Sequence, residues 1–176
     1  YLHCRYLPQF FDYRSRIVWS QIECVQDHGT IVHPAIRGIL QWLKVTDGVE
    51  IHHHGDLPAR TGLGSSSAFT VGLLHAVHAL RGELVSKRAL AEQAIYVEQT
   101  VLKENVGVQD QIQSAFGGLN RIDIRQDSSF EVTPLVVQAD RLASLQNHLL
   151  LLYTGLSRHA SEIAAEQVAT MDQKTN

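Results

Sequence analysis

From Ser65 to Leu80 the chain is apolar almost all round, with Ala68, Phe69, Val71, Leu73, Leu74, Ala76, Val77, Ala79 and Leu80 spread over every face of the helix that this stretch predicts. A helix without a solvated face has to be buried, so the rest of the chain is constrained to wrap it. It is entered through Pro58-Ala59-Arg60-Thr61-Gly62-Leu63-Gly64-Ser65-Ser66-Ser67, in which two glycines and three serines follow a strand. Glycines let a backbone approach a ligand closely, and the free N–H groups and dipole of a helix start favour an anion. Serine hydroxyls add donors to a phosphate and can ligate Mg²⁺. One serine is explained as a helix cap; three in succession opening a buried helix point to a phosphate cradle. Gly62, Leu63, Gly64, Ser65, Ser66 and Ser67 are therefore candidates to hold phosphate. Arg60 either contacts a phosphate or substrate or stands exposed. The segment is neither a P-loop nor a G-x-G-x-x-G turn.

Around this helix the patterning is mixed. Residues 16–25 are β-rich and predict a strand, 27–29 a turn, and Pro34 opens a helix carrying Ile36, Ile39, Leu40 and Leu43 as far as Lys44. Residues 49–54 predict a strand. Ser86 is a plausible cap for a helix reaching Lys103, Asn105-Val106-Gly107 breaks it, and a short helix over 108–116 stops at Gly117-Gly118. Strands are expected at 119–125 and 130–137, a helix at 139–146, a buried strand at 148–153 and a last helix from Ser157. Strands and helices do not alternate regularly, so the expected class is α+β.

Composition narrows the function. Apolar residues make up 44% and charged residues 19%, enough for a real core. The apolar run at 149–153 is far short of the roughly 20 residues of a membrane span, and no signal peptide is visible. Lys and Arg total 15 against 18 Asp and Glu, without a clustered basic face, so neither a nucleic acid nor a membrane is expected as partner. Cys4 and Cys24 have no metal-type spacing, and a reducing, cytoplasmic setting is expected. The start at Tyr1 without Met, and a helical pattern still running at Asn176, predict a piece of a longer protein.

Two carboxylates complete the chemistry. On the helix after Ser86, positions 94, 98 and 102 fall on one stripe, which turns Glu98 inward among apolar residues. An inward carboxylate needs a cation, a metal or donors, and a structural ion pair with an arginine is the plain alternative. Asp110 falls in the first turn of the short helix, on the face away from Val108, Ile112, Ala115 and Phe116. Alone it would be an acid favoured by a helix dipole. With a phosphate cradle and an inward carboxylate it becomes a candidate base for phosphoryl transfer. Other features are weaker: His52-His53-His54 as a metal site, His33 as helix-start packing, and Arg158 as either a phosphate contact or a solvated arginine.

These residues carry a family resemblance that spans essentially the whole chain. Residues 58–68 resemble the phosphate-binding motif of the GHMP kinases (galactokinase, homoserine kinase, mevalonate kinase, phosphomevalonate kinase). Glu98 and Glu104-Asn105-Val106-Gly107-Val108-Gln109-Asp110-Gln111 resemble that family's Mg²⁺ carboxylate and catalytic-aspartate region. Residues 56–75, that run, and Thr154-Gly155-Leu156-Ser157-Arg158 are most similar to the D-glycero-D-manno-heptose 7-phosphate kinase branch. The resemblance implies a ribosomal-protein-like N-terminal domain over 1–138 and the start of a ferredoxin-like C-terminal domain over 139–176. It implies ATP and Mg²⁺ as cofactors and a sugar or sugar phosphate as substrate. In that scheme Ser65 and Ser66 hold nucleotide phosphates, Ser66 and Glu98 hold Mg²⁺, Asp110 orients and deprotonates the acceptor hydroxyl, and Arg158 meets the acceptor's own phosphate. A fucokinase- or galactokinase-like enzyme, or a sensor that binds without turnover, are the alternatives. The family's first-strand motif and its C-terminal glycine-rich motif are not found within 1–176, in line with a piece of a longer protein.

Overall fold

The computed structural model describes residues 1–56 and 62–152. Strands β1 (Leu2–Tyr6), β2 (Ser15–Val18), β3 (Ile22–Val25) and β4 (Val49–His53) form a four-stranded sheet in the order β1-β4-β2-β3. β2 runs parallel to β4, and the other two pairings are antiparallel. The period-2 alternation of a strand sends Ile17, Val49 and Ile51 into the core and Arg5, Arg16, Glu50 and His52 to the other face. On that outer face Glu50 stands directly between Arg5 and Arg16 of the two neighbouring strands. It pairs with both arginines and with His52, and is itself buried.

Helices cover the inner face. α1 (Pro34–Trp42) starts where proline's fixed φ suits a first turn, with the His33 ring accepting a hydrogen bond from the Ile36 N–H. This fulfils the helix-start role expected of His33, which also packs against Trp19 and Phe69. α2 (Ser65–Leu80) buries Phe69, Val71, Leu73, Leu74 and Val77 against the sheet and α1. α3 (Lys87–Tyr96) is capped by the Ser86 hydroxyl and runs into a π-helical turn over Val97–Val101. α4 (Gln109–Phe116) packs on α2 and α3 and ends at Gly117 and Gly118, both with positive φ. The hairpin β5 (Asn120–Ile124) and β6 (Phe130–Pro134) joins Ala91 of α3 and Ile112 of α4 in a second cluster through Phe130. α5 (Ala139–Asn147) closes the described part, and the class is α+β, as expected.

Three expectations change. The single strand over 16–25 is a hairpin of β2 and β3, turned at Trp19, whose N–H donates to the Gln21 carbonyl across a segment without Gly, Pro or Asn. The apolar run from 148 is not a buried strand over its described residues 148–152: no strand forms among them, and Leu149, Leu150, Leu151 and Leu152 are exposed. A strand needs a ladder partner, and none pairs with these residues among the described ones. β1, unremarked in the sequence, is an edge strand of the main sheet. The helix expected from Ser157 and most of the loop before Gly62 lie outside the described residues. No helix among the described residues is long and apolar enough to cross a membrane.

Candidate active site

α2 begins at Gly64, which takes φ +70° and offers no side chain to cap the helix. Left-handed backbone suits glycine, and Gly62 two residues earlier has φ +74°. The first rung of the helix runs from the Ala68 N–H to the Gly64 carbonyl at 2.9 Å. The N–H groups of the serines lie ahead of that rung, at the positive end of a long helix dipole. Gly62, Leu63 and Ser66 are exposed, and Ser65 is half-buried, so this helix start opens to solvent. Arg60 and Arg158 lie outside the described residues.

Asp110 meets this helix start from the side. It is an exposed first-turn residue of α4, and a Cβ built on Gly64 would lie 3.2 Å from its Cγ and its Oδ2. Glycine at position 64 therefore serves twice, in the turn and in giving the carboxyl group room. A carboxyl group is thus placed beside an uncapped helix start, the kind of backbone end that favours an anion.

Glu98 lies beneath. It sits in the π-helical turn at the end of α3, a distortion that recurs at functional sites, and has 0% exposure. The turn is fixed from behind by the Glu104 N–H donating to the Glu98 carbonyl and by the Gln99 amide donating to the Val106 carbonyl. Its carboxylate oxygen Oε2 accepts from the Ser67 hydroxyl at 2.9 Å and from the Gln111 side-chain amide. Among the described residues no arginine or lysine pairs with Glu98, so the structural ion pair is not realised there.

The serine that reaches Glu98 is thus Ser67 rather than the Ser66 expected to share Mg²⁺ with it. Helical periodicity accounts for the difference: Ser67, Thr70, Val71 and Leu74 form the inward stripe of α2, while Ser66 points to solvent. Gln111 was missed although Val108, Gln111, Ile112 and Ala115 follow the same i, i+3, i+4, i+7 rule on α4. The second carboxylate oxygen, Glu98 Oε1, is buried without a hydrogen-bond partner, as are Gln111 Oε1 and Thr70 Oγ1, the latter one turn along α2 from Ser67. A buried carboxylate oxygen left without a donor, with the Ser67 hydroxyl on its neighbour, is the kind of oxygen that a hard divalent cation takes, and Glu98 fits Mg²⁺.

Histidines elsewhere have other tasks. His52 bonds Glu50, His53 packs its ring edge-on to Phe69, and no group of three or more His, Cys, Asp or Glu side chains is placed to hold a metal among the described residues. The buried Ser15–His28 pair at 2.8 Å is structural, because the Ser15 oxygen also accepts from the Val49 N–H and is closed to solvent.

Comparison with known proteins adds to this geometry. A sequence model of the GHMP kinases N terminal domain matches residues 30–118. The chain is 28% identical over 127 residues to a D-glycero-alpha-D-manno-heptose 7-phosphate kinase of Campylobacter jejuni, covering 72% of this chain and 38% of that protein. It is 30% identical over 134 residues to an L-fucokinase/L-fucose-1-P guanylyltransferase of Bacteroides fragilis, covering 70% of this chain and 13% of that protein. In fold it resembles the crystal structure of a D-glycero-D-manno-heptose 1-phosphate kinase of Bacteroides thetaiotaomicron with a TM-score of 0.68 at 17% identity, over 96% of this chain and 60% of that one. The chain therefore spans well under half the length of these two curated relatives.

Proposed function

This chain belongs to the GHMP kinase family, and on that premise we propose that the protein containing it transfers the γ-phosphoryl group of ATP to a hydroxyl of a sugar phosphate. The observation that carries the reading is Asp110 lying against Gly64 at the uncapped start of α2, with Glu98 buried just below at Ser67. The backbone N–H groups at Ser65, Ser66 and Ser67 and the neighbouring Gly62, Leu63 and Gly64 would bind nucleotide phosphates, joined by Arg60. Asp110 would hold the acceptor hydroxyl and take its proton as the new O–P bond forms. The bond from the γ-phosphorus to the bridging oxygen breaks, and its electron pair leaves with ADP. Glu98 with Ser66 or Ser67 would hold Mg²⁺, which when bound offsets negative charge on the phosphates.

The acceptor we propose is D-glycero-D-manno-heptose 7-phosphate, converted to the 1,7-bisphosphate in a cytoplasmic setting. The likeness to the Campylobacter heptose 7-phosphate kinase supports it, and Arg158 is proposed to meet the phosphate already on the sugar. Guanidinium grips phosphate with two parallel donors, which lysine does not reproduce. The test is ATP turnover by the complete reading frame that carries this chain, over heptose 7-phosphate, galactose, fucose and mevalonate. Heptose 7-phosphate should be preferred, with Arg158→Lys raising its KM selectively. Equal use of unphosphorylated sugars would remove this acceptor. Binding of sugar and nucleotide without product would replace the kinase by a sensor.

A further inference from the structure

We propose that Gln111 is a positioning residue for the metal carboxylate, holding one oxygen of Glu98 so that the other stays available to a cation. The identity of that cation rests on the kinase reading above. Gln111 is 1% exposed and stands on the inward stripe of α4 beside Ile112, where an apolar side chain would be the ordinary choice. A buried carboxamide is costly unless its polar ends are satisfied, and here only the nitrogen is. An ionised carboxylate only accepts hydrogen bonds, so the Gln111 NH₂ has to face Glu98 and its own carbonyl has to face away.

The asymmetry at Glu98 gives the arrangement its meaning. The Ser67 hydroxyl and the Gln111 amide converge on the same oxygen, Oε2, and Oε1 receives none. Two donors serving only to stabilise a buried carboxylate would do better shared between both oxygens. Concentrated on one, they hold that oxygen from two elements, α2 and α4, and leave the second oxygen free to act as a ligand. Gln111 also follows Asp110 in the first turn of α4, so the clamp on the metal carboxylate and the proposed base ride on one rigid element. Outer partners of this kind commonly change metal affinity 10- to 100-fold when removed.

The test uses the complete reading frame with Mn²⁺ as probe, in the presence of the uncleaved analogue AMP-PNP, reading free Mn²⁺ by electron paramagnetic resonance. Gln111→Met keeps size and removes the donor; Gln111→Asn keeps an amide one methylene too short to reach. Both should bind Mn²⁺ about 10- to 100-fold more weakly, and, because a buried carboxylate loses one of its two donors, both should also show a lower thermal midpoint without cation. If the Met variant fails to fold, the Asn variant carries the measurement. Unchanged Mn²⁺ affinity with a lowered midpoint would make Gln111 a structural filler and overturn the inference alone. A wild-type protein that takes up no Mn²⁺ with nucleotide overturns both the inference and the kinase reading. Weakened Mn²⁺ binding in a protein without phosphotransfer would uphold the positioning role and remove only the kinase.

Discussion

Gly64 and Asp110 are in contact across the start of α2, so closely that a Cβ on the glycine would meet both Cγ and Oδ2 of the aspartate at 3.2 Å. A proposed base and a proposed anion-binding helix end thus come together because position 64 lacks a Cβ. The contact joins an exposed, ionisable group to a left-handed turn, and each places a separate demand on position 64.

Those two demands can be separated. Gly64→Ala incurs the left-handed penalty, about 1–2 kcal/mol, and also pushes on the Asp110 carboxyl. Gly82→Ala, at φ +73° with nothing within 4 Å of its Cβ, incurs the strain alone. Chemical denaturation should show similar losses of stability for the two variants, whereas ATP turnover by the complete protein should fall only for Gly64→Ala. Equal turnover in both would mean that the aspartate's position beside Gly64 has no catalytic meaning.

Much of this was legible in the sequence, for identifiable reasons. The limits of α2 follow from Gly64 on one side and Gly82 on the other, and the inward turn of Glu98 follows from its four-residue spacing to Ala94 and Leu102. What escaped was pairing. An apolar run such as Leu149–Leu152 states a need for burial without naming a partner, and β2 and β3 turn at Trp19-Ser20-Gln21 without a residue specialised for turns. Ser67 and Gln111 were overlooked beside Glu98 because polar residues on inward stripes read as breaks in a pattern. Their helical positions already placed them there.

Asp110→Asn keeps the shape against Gly64 and removes the proton acceptor. Turnover should drop by roughly 10²–10⁴, as for a lost general base, while nucleotide affinity stays within a few-fold. Steady-state kinetics beside nucleotide titration gives both numbers. A variant with full turnover would remove the base from this position.

Acid stability should depend on Glu50. The hydrogen bond from His52 and the Arg5 guanidinium hold its carboxyl below the ordinary glutamate range. A folded-state value that is lowered means stabilisation fully present above the unfolded value, near ~4.3, and lost as pH falls through the folded one. Glu50→Gln should therefore lower the thermal midpoint at neutral pH, and the gap to wild type should close progressively below about pH 4. A gap that persists undiminished at pH 2–3 would assign the loss to packing rather than to charge.

The serines divide stability from metal dependence. Ser67 is 5% exposed and supplies one of the two donors to a carboxylate that has no cationic partner among the described residues. Ser67→Ala leaves the buried Glu98 less satisfied and should cost about 1–3 kcal/mol. Ser66, exposed on the next face of the helix, touches none of this, and Ser66→Ala should alter stability by less than about 0.5 kcal/mol. Their effects on the Mg²⁺ requirement of turnover then decide which hydroxyl shares the cation with Glu98. If Ser66 is the ligand, Ser66→Ala raises the Mg²⁺ concentration for half-maximal rate in a protein of normal stability. If Ser67 turns from Oε2 to the cation when Mg²⁺ binds, the stability loss and the raised requirement fall together in Ser67→Ala, and Ser66→Ala changes neither. Two denaturation curves and two Mg²⁺ titrations separate these outcomes, because the hydrogen bond that holds Glu98 is made by only one of the two serines.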